Sequence, residues 1–143
     1  MTDLRQLRED CFTYMAQHAP SRPGTYADCV ERGARMLDAV WPGWANGLEA
    51  ENLVGRRHLI DLETLDLHSP SSCVLGQLFA DNDWGHPGFL YVSRPVATGE
   101  DYRVLYDYGF DIPGNWDFDT SPYRLLTSLW RDAIVSRRMA VTA

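Results

Sequence analysis

The sequence predicts a mainly α protein: a single compact helical domain of about five helices over residues 1–143, with room for one short β-hairpin near Phe89–Val92. Three observations carry this. Apolar residues recur at three- and four-residue steps near both ends of the chain, which places them on one face of a helix. Pro, Gly and Ser punctuate those stretches where helices start and stop. The chain has 143 residues, 45% of them hydrophobic and 12% aromatic. A chain of that size buries about 70% of its unfolded surface, enough for one core without a metal or disulfide.

The first helix carries Leu4, Leu7, Cys11, Tyr14 and Met15 on one face, with Thr2 as its expected N-cap. Pro20, Pro23 and Gly24 end it in a loop. Thr25 or Tyr26 begins the second helix, whose stripe is Cys29, Val30, Gly33, Met36, Leu37, Val40 and Trp41. Pro42 and Gly43 stop it, and Trp41 and Trp44 flank that turn as either core covers or an exposed anchor. Residues 45–59 read as irregular and polar. Ile60, Leu62, Leu65 and Leu67 alternate with acids, a pattern shared by a short strand and a helical turn. Ser69 as N-cap and Pro70 at the first helical position predict a central buried helix through Cys73–Phe79. Gly76 inside it implies close approach of another backbone.

Residues 81–97 read as a loop with one short extended piece, Phe89–Val92. Thr98 and Asp101 resemble a capping box for a helix over roughly 99–108. Gly109 supplies its left-handed C′ residue and Phe110 the apolar contact that follows. Ser121 and Pro122 open the last helix, which runs to about Met139. Its stripe is Tyr123, Leu126, Leu129, Trp130, Ala133 and Ile134, and Arg131, Arg137 and Arg138 suit the negative end of its dipole.

The stretch IDLETLDLHSPSSCVLGQLFA, the later G-F-D step and the closing Leu/Trp/Arg helix resemble a family of small uncharacterised proteins from actinobacteria and their phages. The resemblance implies no activity. It agrees with the absence of lysine among the thirteen cations, which GC-rich coding favours.

Charge is unevenly placed within a formal net of −7. Residues 61–120 hold eleven acids against two arginines, whereas residues 121–143 hold four arginines against one acid. No broad basic face is expected, so direct nucleic-acid binding is not. No apolar run approaches the roughly 18 residues of a membrane span. MTDLRQLRED is charged and periodic, without the apolar stretch of a secretory signal, so a cytoplasmic protein is expected.

Catalytic patterns are sparse. Cys11, Cys29 and Cys73 are odd in number and widely spaced, which fits structural thiols better than disulfides or a metal clip. Cys73 near a helix start, with His58, His68 and His86 elsewhere, leaves a cysteine/histidine-dependent enzyme or enzyme accessory as an alternative. Asp81–His86 has a passing likeness to a calcium loop, but the place of the twelfth-position Glu is Val92. No phosphate-binding loop or nucleophile elbow is present, and neither metal nor cofactor is expected.

The functional signal is the acidic-aromatic stretch from Asp101 to Asp119. Tyr102, Tyr106, Tyr108, Phe110, Trp116 and Phe118 alternate there with Asp107, Asp111, Asp117 and Asp119. Aromatics supply the anchors of protein interfaces, and acids steer a basic partner. The expected partner-binding residues are Trp116, Phe118, Asp117, Asp119, Tyr108 and Asp111. The function expected is a non-enzymatic protein-interaction module, phage-encoded, that binds or inhibits a basic host protein. An acidic nucleic-acid mimic is a further alternative, needing its acids in one regular exposed array.

Overall fold

The computed structural model describes residues 4–22, 24–46, 60–96, 102–112 and 121–142. Among them are six α-helices, two short 3₁₀ turns and no strand. The helices are α1 (Leu4–Gln17), α2 (Tyr26–Val40), α3 (Val74–Leu78), α4 (Gly88–Ser93), α5 (Arg103–Asp107) and α6 (Ser121–Thr142). The mainly helical class read from the sequence is the observed one. Thr2 and the Thr98/Asp101 capping pair lie outside the described residues.

α2 starts where its cap chemistry dictates. The Thr25 hydroxyl accepts from the Asp28 N–H at 3.1 Å, and the Asp28 carboxylate accepts from the Thr25 N–H at 3.0 Å. Each satisfies a donor that the first turn leaves without an intrahelical partner. The buried face of α2, with Val30, Met36 and Leu37, packs against α6, whose Leu126, Trp130 and Ile134 fill the same core. Trp130 stacks on Phe110 and meets Trp44 edge-on, and its indole N–H donates to the Gly109 carbonyl at 2.7 Å. Trp41 and Trp44 are both buried, so neither is an exposed anchor.

Three arginines of α6 bond across to other parts of the chain. Arg138 donates to the carbonyls of Ala45 at 2.7 Å and Ile60 at 2.6 Å, and Arg131 to that of Leu62 at 3.2 Å. Arg137 pairs with both carboxylate oxygens of Asp38. The Arg131 and Arg138 contacts bind the chain at Ile60 and Leu62 to α6, and the Arg137 pair joins α6 to α2. Ile60, Leu65 and Leu67 are buried, yet the backbone there forms turns rather than a strand. The Gln77 side chain completes the tie, accepting from the Asp61 N–H at 2.6 Å and donating to the Ser72 carbonyl at 2.9 Å.

Two expectations near the centre are corrected. The helix begins at Val74, with Cys73 rather than Ser69 as its N-cap. The Ser69 hydroxyl and carbonyl instead accept from Ser72 and Cys73, making a separate preceding turn. The second correction is at Phe89–Val92, which lies in helix α4, so the short hairpin does not form there. A short apolar run is compatible with a strand or a buried helix turn. Here the described residues include no strand to offer a ladder, and α4 packs on α3 with its Phe89 N–H donating to the Pro70 carbonyl at 3.0 Å. The two helices meet through glycines. A Cβ on Gly88 would clash with the Gly76 carbonyl oxygen, and one on Gly76 would lie 2.5 Å from the Pro70 carbonyl oxygen. The close approach expected at Gly76 is therefore observed.

α1 reaches this pair through Arg8. Its guanidinium lies over the rings of Trp84, at 4.8 Å, and Tyr91, at 4.5 Å, and donates to the Tyr91 carbonyl. A buried cation is tolerable because two aromatic faces and an acceptor replace its water.

Candidate functional site

The acidic-aromatic stretch is organised by the end of α5. After Asp107 the chain reverses through Gly109, whose φ is +77°, a conformation costly for any residue with a Cβ. The Phe110 N–H returns to the Leu105 carbonyl at 2.9 Å and the Gly109 N–H to that of Tyr106 at 3.1 Å. This pair of bonds is the Schellman termination expected from Gly109 and Phe110. Phe110 thereby enters the core, and Asp111 comes back beside the start of α6.

Asp111 is held by two phenols. Tyr102 donates to one carboxylate oxygen at 2.6 Å and Tyr123 to the other at 2.8 Å; the Ile112 N–H adds a third bond at 2.8 Å. Burial and then these bonds to Asp111 push both phenols well above their ordinary range. The clamp joins residues on either side of α5 to the first turn of α6. On its far side, the His68 ring lies against Tyr123 at 4.8 Å.

Beside the clamp is a cavity of about 390 Å³ between the N-terminal part of α2, α5 and α6. Tyr26 and Cys29 line it from α2, Tyr106 and Asp107 from α5, and Leu126 from α6, with Asp111 at its edge. The size falls within the range of small-ligand sites. The Asp107 side chain is only 8% exposed, and its ion-pair contact is with Arg103 at 3.7 Å, longer than a hydrogen bond. Among the described residues none donates a hydrogen bond to this carboxylate.

The expected partner-binding residues divide into three groups. Asp111 sits at the cavity. Tyr108 is fully buried, its hydroxyl donating to the His18 carbonyl at 3.0 Å, so it fastens α5 to the end of α1. Trp116, Asp117, Phe118 and Asp119 lie outside the described residues. Sequence reasoning did not single out Tyr26 and Cys29, because their contribution depends on how α2 meets α5. Asp107 was visible only as one acid among several, and a four-residue separation from Asp111 was the available signal.

The cysteines are placed for packing. Cys73 is 2% exposed, burial pushes its thiol up to about 12, and its sulfur accepts from the Gly76 N–H at 3.2 Å. Burial, aided by Asp10, likewise pushes Cys11 up to about 12, and burial raises Cys29. A thiol with such a value stays protonated at neutral pH and is a poor nucleophile. His68 lies against Tyr123, and His86 faces Trp84 and Arg94. In the loop with a calcium-like pattern, the buried Asn82 side chain bonds the Phe79 and His86 carbonyls and the Trp84 and His86 N–H groups. Its polar atoms are committed to holding the turn. Among the described residues, no group of three or more His, Cys, Asp or Glu side chains could hold a metal ion.

The fold and site define a helical protein with an acidic, aromatic-lined cavity beside a carboxylate held by three hydrogen bonds. Comparison with known proteins finds no matching family model, curated protein or solved structure. No described helix is long and apolar enough to cross a membrane.

Proposed function

We propose that this chain is a non-enzymatic protein-interaction module that binds a basic protein through the acidic-aromatic surface around α5. The observation that carries the reading is the placement of Asp107 and Asp111 on one cavity, beside Tyr26 and Tyr106. Aromatic rings give a partner's side chain area to bury, while carboxylates select its charge. Trp116, Asp117, Phe118 and Asp119 follow Asp111 in the sequence and continue its acidic-aromatic pattern. The resemblance to actinobacterial and actinobacteriophage proteins supports a phage-encoded protein acting on a host target. Three free thiols suit the reducing cytoplasm as its place of action.

The test is capture on immobilised protein from an actinobacterial lysate, eluted by a salt gradient. Basic proteins retained at low salt and released as ionic strength rises are the expected result, because screening weakens exposed charge pairs. Retention of neutral or acidic proteins alone, indifferent to salt, overturns the reading.

A further inference from the structure

We propose that the cavity between α2, α5 and α6 receives a single arginine side chain of the basic partner. This deepens the interaction reading and rests on it. Two carboxylates, Asp107 and Asp111, and one guanidinium, Arg103, line the cavity, and a second guanidinium, Arg32, donates to the Asp107 main-chain carbonyl rather than to either carboxylate. Asp111 is already satisfied by two phenols and a backbone N–H. Asp107 is different. Its side chain is more than nine-tenths buried, the residue lines the cavity, and its carboxylate accepts no hydrogen bond from any described residue, whereas its main-chain carbonyl accepts one from Arg32. A desolvated carboxylate without donors is costly unless a cation with hydrogens reaches it.

The walls specify what kind of cation. Tyr26, Tyr106 and Leu126 give an apolar, aromatic lining that suits an alkyl stem and a planar head. Guanidinium is weakly hydrated, stacks on aromatic faces and offers paired donors to a carboxylate, whereas ammonium holds its water more strongly. Arg103 holds the place of this group in the free protein. Its side chain is 63% exposed and stops 3.7 Å from the Asp107 carboxylate, so an incoming guanidinium displaces it at little cost.

The experiment uses the full chain and three probes: N-acetyl-arginine methylamide, its uncharged citrulline counterpart, and n-butylguanidinium as a free small cation. Binding is followed by NMR shift changes at Gly109 and Leu126. The arginine probe is expected to saturate these shifts and the citrulline probe to bind at least tenfold more weakly. Asp107→Asn is expected to weaken the arginine probe at least tenfold. Arg103→Gln, at an exposed position, is expected to strengthen it about threefold by removing the competitor. Equal binding of the citrulline probe, or weaker binding in Arg103→Gln, overturns the proposal. So does n-butylguanidinium binding more than tenfold tighter than the arginine probe, which assigns the cavity to a free cation. Where Asp107→Asn leaves both melting and capture of basic proteins unchanged, the arginine site fails while the interaction reading stands. Where the cation probes bind but no basic protein is captured, the interaction reading fails and the partner source fails with it.

Discussion

Asp111 and Tyr123 are joined by a 2.8 Å hydrogen bond that ties the end of the α5 turn to the first turn of α6. Tyr102 closes the same carboxylate from the other side at 2.6 Å. The bond fixes the two points in the fold between which the stretch bearing Trp116 and Phe118 runs in sequence.

Replacing both phenols, Tyr102→Phe with Tyr123→Phe, should lower stability by roughly 1–3 kcal/mol, since each bond to a half-buried carboxylate is worth about 1 kcal/mol or somewhat more. It should also alter the alkaline limb. Both phenols are raised above their ordinary value of about 10 in the folded state, so the unfolded chain releases these protons first. Their stabilising contribution is complete below pH 10 and is lost as pH rises beyond it. Melting temperature measured from pH 8 to 11 should fall less steeply in the double variant.

Asp38 should behave in the opposite sense. Its burial raises the carboxyl, but hydrogen bonds from Arg137 and Trp44, with the Arg137 charge, outweigh that and hold it below its ordinary value of 3.8. The contribution is therefore present above pH 3.8 and lost as pH falls below it. Asp38→Asn should cost about 0.5–1 kcal/mol at neutral pH, a modest figure because the pair is partly exposed and screened. Urea titrations at pH 7 and pH 3 should find the difference from wild type shrinking in acid.

The native thiols should resist alkylation. With Cys11 and Cys73 each pushed up to about 12 by burial, the thiolate is scarce at neutral pH and the sulfur is out of reach. Mass spectrometry after brief iodoacetamide treatment at pH 7.5 should find these two unmodified in native protein and modified in denaturant. Fast labelling of Cys73 alone would revive the cysteine-enzyme alternative.

Leu75→Asp or Leu78→Asp should abolish cooperative folding. Both side chains lie in the core, and an unpaired buried carboxylate costs several kcal/mol against a total stability of ~5–15 kcal/mol. A wild-type-like melt of either variant would contradict the central place of α3.

Trp116→Ala and Phe118→Ala should each weaken partner binding by about 2 kcal/mol or more while leaving the melting temperature near wild type, the behaviour of interface anchors. Asp117→Asn and Asp119→Asn should slow association and flatten its salt dependence, because rim charges act on encounter. If the aromatic variants unfold and the Asp variants bind normally, those rings belong to the core.

What the sequence determined by itself was local. The Thr25 start of α2 and the Gly109 reversal after α5 each follow from chemistry within a few residues. The apolar stripes of α2 and α6 were legible because burial on one face imposes helical spacing. Tertiary structure decided the rest. Phe89–Val92 became a helix turn because its backbone had α3 and, among the described residues, no strand beside it. Cys73 became a cap because the Ser69 turn occupied the preceding residues. Tyr108 was buried by the end of α1, ninety positions away. The Asp38–Arg137 pair spans 99 positions. No local pattern encodes such distances, since long-range contacts depend on which faces meet once the helices pack. The cavity lined by Asp107 was set in the same way, by the meeting of α2, α5 and α6.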